Sequence, residues 1–216
     1  MHSPFRLGIF TLCLAAISHG ATIYTAPPDQ TYGVNMRETL VAEDFTIAST
    51  TDFTNIRFWS IQSALADYDG SVYWAIYGNL TGGPILFGGT TAAISPTATA
   101  LSTGFGYPEY VFNIPVAFQL AGGTYWVALH NGPLASTATN EMLWETTSLA
   151  TGSQAMYFDA TFGWTDAGSH LAFELEGTSS AAATPEPSSF VLLSSGLLAA
   201  AYARRRNQNN NQGVQS

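Results

Sequence analysis

Residues 109–118 read Glu-Tyr-Val-Phe-Asn-Ile-Pro-Val-Ala-Phe, with Tyr110, Phe112, Ile114, Val116 and Phe118 at alternate positions. Extended backbone points successive side chains to opposite sides, so this period makes one apolar face and one outer face. The period returns at 123–132, where Tyr125, Val127 and Leu129 alternate with Trp126, Ala128 and His130. It returns again at 170–177 with Leu171, Phe173 and Leu175. Within 71–79, Tyr73 and Tyr77 share one side while Val72, Trp74 and Ile76 share the other. Residues 41–48, 53–61, 84–89 and 154–160 are further strand candidates, rich in β-branched and aromatic side chains. Turn formers such as Asp67-Tyr68-Asp69-Gly70 and Ala121-Gly122-Gly123 separate them. Half-apolar strands of this length must bury their greasy faces against each other. The pattern therefore predicts an all-β chain with one antiparallel β-sandwich of jelly-roll type over residues 21–176. Pro115 lacks an N–H for a ladder, which predicts an edge or a bulge at that point.

Charge narrows the partners. The chain has a net charge of −9 and no lysine. Between residues 21 and 183 only Arg37 and Arg57 stand against fourteen acidic residues. Such a surface repels phosphate backbones and excludes nucleic acid as an expected partner. The single cysteine, Cys13, follows Leu12 rather than the small residue a lipoprotein signal needs. It lies in residues 1–20, where Arg6 precedes the apolar run Leu7–Ile17 and small residues surround Gly20 and Ala21. That order predicts a cleaved secretory signal peptide. The exported body is then expected to hold no disulfide, no zinc-thiolate site and no cysteine nucleophile.

Residues 177–187 are small, polar and proline-bearing, as a tether requires. Residues 188–203 form an apolar stretch which as a helix would reach about 24 Å at 1.5 Å per residue. That is short of the roughly 30 Å hydrocarbon core, so the expected helix suits a transient inner-membrane anchor. Arg204, Arg205 and Arg206 follow at the head of a basic and polar tail, 204–216, expected to stay cytoplasmic. Pro185-Glu186-Pro187, the apolar stretch and the arginine triplet together resemble the PEP-CTERM sorting signal of Gram-negative bacteria. The resemblance implies recognition by an exosortase-type membrane protease, with cleavage near the Pro-Glu-Pro. It further implies delivery to the outer surface or an extracellular, polysaccharide-bearing matrix.

For the body, two readings of the outward aromatics stay open. Tyr73 with Tyr77 can form a rigid platform on which sugar rings stack, and Trp126 with His130 a similar patch, or all four can fill and support the sandwich. Asp67 and Asp69 are two carboxylates in a turn. They offer oxygen ligands to a structural calcium ion, and equally are the residues that make a plain turn. No other cofactor is expected. No nucleophile elbow, metalloprotease helix or phosphate loop occurs, and Glu141 and Glu145 are a carboxylate pair of the kind any acidic chain offers. The expectation is a non-enzymatic exported surface or matrix protein that grips polysaccharide. A secreted glycan hydrolase and a purely structural coat component are the alternatives.

Overall fold

The computed structural model describes residues 20–37, 39–104, 106–136, 141–150 and 152–180. The signal segment and the Pro-Glu-Pro, apolar and arginine segments lie outside these, except for Gly20 and the start of the tether. Fourteen strands occur among the described residues. They are β1 (Ala21–Ala26), β2 (Gly33–Asn35), β3 (Val41–Ile47), β4 (Thr51–Gln62), β5 (Ser71–Tyr77), β6 (Ile85–Ala92) and β7 (Thr97–Ser102). After them come β8 (Pro108–Leu120), β9 (Gly123–Asn131), β10 (Met142–Thr147), β11 (Met156–Asp159), β12 (Gly163–Asp166), β13 (His170–Leu171) and β14 (Phe173–Ser179). The last strand runs to Ser179, three residues into the segment expected to be tether.

The strands form two antiparallel sheets, as the alternation predicts. One has eight strands, with β14 and β10 along one side of β4 and β8 along the other. The second has six, in the order β12-β11-β3-β9-β5-β6. The chain crosses between sheets from β3 to β4, from β4 to β5, from β6 to β7 and from β8 to β9, in the manner of a jelly roll. β1 pairs with β14, so the chain from 21 to 179 closes on itself and holds the whole core.

The inward residues are those that the period selects. Val41, Phe45, Val72, Ile76, Val127 and Leu129 from the small sheet meet Phe53, Ile56, Phe58, Phe112, Ile114, Phe173 and Leu175 from the large one. Phe45 packs edge-on against Phe53 and Phe173, with ring centres 6.2 Å away in each case. Fully burying one such side chain stabilises the fold by about 1.5–3 kcal/mol. The ladder between β4 and β8 slips between Phe53 and Asn55, where Val116 and Ala117 of β8, next to Pro115, stand against Thr54 alone. Proline thus marks a bulge, as its missing donor requires.

One polar group crosses the sandwich. Glu43 faces inward from β3, and its carboxyl accepts a hydrogen bond from the Leu171 N–H at 2.8 Å. Its second oxygen lies 3.2 Å from His170 Nδ1. Burial, with the charge of Asp44 adding to it, pushes the Glu43 carboxyl up to about 9, against the Leu171 hydrogen bond that lowers it. At neutral pH Glu43 is a protonated pin between the two sheets.

Candidate functional site

The outer face of the six-stranded sheet brings the four outward aromatics together. Tyr73 stands opposite His130, and Tyr77 opposite Trp126, in the ladder between β5 and β9. Between those two pairs lies Ala75 opposite Ala128, which in turn faces Ala42 of β3. Opposed residues in an antiparallel ladder share a face, so three alanines run side by side as a low floor. All three are fully buried, and Tyr73, Trp126, Met156 and Trp164 pack against the cluster the alanines form with Leu40, Tyr77 and Leu80.

Trp164 completes the arrangement, and sequence reasoning had not placed it. It comes from the β11–β12 hairpin, where it stands opposite Phe158. The hairpin is tight because the Asp159 carboxylate accepts hydrogen bonds from the Thr161 and Phe162 N–H groups at 2.7 and 2.9 Å. Gly163 follows with φ of +75°, a left-handed conformation that glycine adopts without strain. The Trp164 ring meets Phe158 edge-on at 5.6 Å and Tyr77 edge-on at 6.0 Å. A cleft of about 410 Å³ opens here, lined by Leu40, Tyr77, His130, Leu134, Phe158, Ala160 and Trp164. Phe162, at the hairpin tip, is 82% exposed.

The cleft has polar groups as well as rings. His130 is buried, and its Nδ1 lies 3.3 Å from the Gly132 carbonyl. A carbonyl can only accept, so Nδ1 carries the proton and Nε2 is left as an acceptor. Burial holds His130 below the usual histidine range, although the Gly132 carbonyl and the Asp69 charge pull the other way. Burial likewise raises the Tyr73 and Tyr77 hydroxyls, so both stay protonated as donors.

Of the four, Tyr77 and His130 are buried while Tyr73 and Trp126 are half-buried. The quartet is therefore a partly packed aromatic cluster with one open mouth, not a flat exposed platform. Alternation put Tyr73 with Tyr77, and Trp126 with His130, on one face of their own strands. It could not reveal the hairpin that brings Trp164 to this cluster, because β12 begins 32 residues after β9 ends.

Asp67 and Asp69 build the loop beside this cleft. The Asp67 carboxylate accepts hydrogen bonds from Ser63 Oγ at 2.7 Å and the Ala64 N–H at 3.0 Å. Asp69 accepts one from Ser136 Oγ at 2.8 Å. Buried Asn131 ties the two together, receiving the Asp69 N–H and donating to the Asp67 carbonyl. Gly132 has φ of +80°, and a Cβ there would meet the Asp69 carboxylate, so a side chain at 132 would be strained and would push that carboxylate aside. Among the described residues no three acidic, histidine or cysteine side chains are grouped to hold a metal ion.

The carboxylate pair at 141 and 145 does not share a surface. Glu141 is exposed, whereas Glu145 is fully buried in β10. The partner of Glu145 is Glu109 from β8, bridged by Gln30, whose N–H donates to Glu145 and whose amide donates to Glu109, both at 2.9 Å. Burial first, then the hydrogen bond and charge of Glu109, push the Glu145 carboxyl up to about 8.

The fold and the cleft define the class, an all-β two-sheet sandwich with an aromatic, partly polar recess on the outer face of one sheet. Residues 183–206 match the PEP-CTERM protein-sorting motif. The chain thus carries the signal of an exported protein that is sorted to the cell envelope and processed by an exosortase, a membrane enzyme. Pro185, Glu186, Pro187 and Arg204–Arg206 fall inside the matched span and outside the described residues. No helix among the described residues is long and apolar enough to cross a membrane, and residues 188–203 are not among them. No curated protein matches the chain.

Proposed function

We propose that this protein is a non-enzymatic component of a bacterial surface or extracellular matrix that binds polysaccharide through the cleft beside Trp164. The observation that carries the reading is the convergence of Tyr77, His130, Phe158 and Trp164 around one recess. Rings present flat apolar surfaces to the C–H faces of a sugar, while the His130 acceptor and the tyrosine hydroxyls orient its own hydroxyls. Net negative charge on the body favours neutral or cation-bridged glycans over strongly anionic ones.

Polysaccharide pull-down and titration with matrix glycans from the producing organism test the reading. Trp164→Ala is expected to weaken binding at least about tenfold, near 1.4 kcal/mol, without changing the circular dichroism spectrum. Equal binding by wild type and variant would place any glycan contact elsewhere.

The sorting half of the proposal is a transient inner-membrane stage. Residues 188–203 insert, Arg204–Arg206 hold the tail on the cytoplasmic side, and cleavage near Pro185-Glu186-Pro187 frees the body towards the outer surface of a Gram-negative cell. Arg204–Arg206→Ala is expected to alter the processed fraction in the native host, read by mass and cell fractionation. Identical mass and location of wild type and variant would refute that route.

A further inference from the structure

We infer that β6 is a self-association edge, on which a second copy of this chain adds antiparallel and extends the six-stranded sheet across a two-fold axis.

β6 is the last strand of its sheet, and among the described residues no strand pairs with its outer side. Its eight residues leave a row of backbone donors and acceptors open for a further strand. Proteins commonly guard such an edge with charged side chains, and none is present here. Residues 70–108 contain no Asp, Glu, Lys or Arg, although the whole chain carries −9. Two copies that meet at β6 therefore bring no carboxylates together, whereas most other contacts between such acidic bodies would. The opposite edge of the same sheet, β12, is only four residues long, ends at Asp166 and pairs with a strand ending at Asp159. The β6 edge is also apolar, with Ile85 48%, Leu86 41% and Phe87 36% exposed.

The strand is self-complementary. Within the sheet, Gly89 and Phe87 face inward with Trp74 and Ile76, while Gly88 and Thr90 face outward with Ala75 and Tyr73. A two-fold axis perpendicular to the sheet keeps those faces continuous only where residues of like orientation oppose each other. Centring the axis on Gly89 does this. It sets Gly88 against Thr90 and Phe87 against Thr91 of the second copy, with no bulky side chain at the axis, and the bulge at Leu86 ends the regular pairing. The result is a closed dimer rather than a filament, with both clefts on one continuous outer face.

The test uses residues 21–180, which hold every strand and the core among the described residues and contain no cysteine. Sedimentation between about 1 µM and 1 mM, a range that covers weak to moderate dimers, is expected to give a monomer–dimer equilibrium. Thr90→Glu, which puts like charges on the two copies close to either side of the axis, is expected to weaken the dimer at least tenfold with an unchanged melting temperature, since Thr90 is exposed. Gly89→Cys is expected to form a disulfide dimer under mild oxidation. Its Cβ has room, the nearest atom within 4 Å being Trp74 Nε1 at 3.9 Å. A body that stays monomeric throughout, or a Thr90→Glu variant that dimerises as the wild type does, would overturn the inference. Neither result bears on glycan binding, which is read separately.

Discussion

Trp144→Ala is expected to lose about 3–5 kcal/mol of stability, the range for removing a large aromatic from a packed core. Trp144 is fully buried in β10, with its ring edge-on to Phe58 at 6.1 Å and to Phe173 at 6.0 Å. Its indole N–H also donates to the Ala172 carbonyl at 2.8 Å, which the variant would leave buried without that partner. For a body of this size the loss corresponds to a melting temperature lower by roughly 6–20 °C. Thermal unfolding followed by circular dichroism reads it directly. Trp126→Ala, in the half-buried outer cluster, is expected to lose much less. Losses of equal size at the two positions would mean that the outer cluster is as much a core as the interior.

The second large effect is an inverted pH profile. Glu43 and Glu145 both titrate far above the ordinary value of 4.5, near 9 and 8, chiefly because they are buried. A raised carboxyl pKa means that folding takes up a proton. The stabilisation is complete below pH 4.5, erodes as pH rises and is gone above the folded values. Asp44 is raised in the same sense by burial. Buried His130 is shifted the opposite way, so its contribution is present above pH 6.5 and is lost as pH falls through its depressed value. Asp44 and His170 face Glu43, while Glu109 and Asp29 face Glu145. Between pH 6 and 9 the two glutamates together are expected to withdraw on the order of 3–6 kcal/mol. The protein should therefore melt higher at pH 6 than at pH 9. Glu43→Gln keeps the acceptor for Leu171 and cannot ionise, so its melting temperature should vary less across that range. A wild type that melts higher at pH 9 than at pH 6 would contradict this account of both groups.

The fold was legible because its information is local. Tyr125-Trp126-Val127-Ala128-Leu129 declares both of its faces in five residues, and Pro115 announces its bulge by a missing donor. The candidate site was half legible for the same reason. Tyr73 with Tyr77, and Trp126 with His130, could each be assigned to a face, but not to the same recess. Their meeting depends on β5 and β9 being neighbours in register, and Trp164 depends on β11 pairing with β3. The buried acids were hidden more deeply. Glu43 follows Ala42 and precedes Asp44 in a strand whose alternation alone cannot tell an inward acid from an outward one. Only the cross-sheet approach of Leu171 and His170 explains why a carboxyl is tolerated inside.

The five tryptophans supply the most direct test of the central claim, because their indole N–H signals report on five separate places at once. Matrix oligosaccharide titrated into the ¹⁵N-labelled body is expected to shift the Trp164 and Trp126 indole signals while that of core Trp144 stays fixed. Saturating glycan that moves neither Trp164 nor Trp126 would contradict the assignment of the cleft.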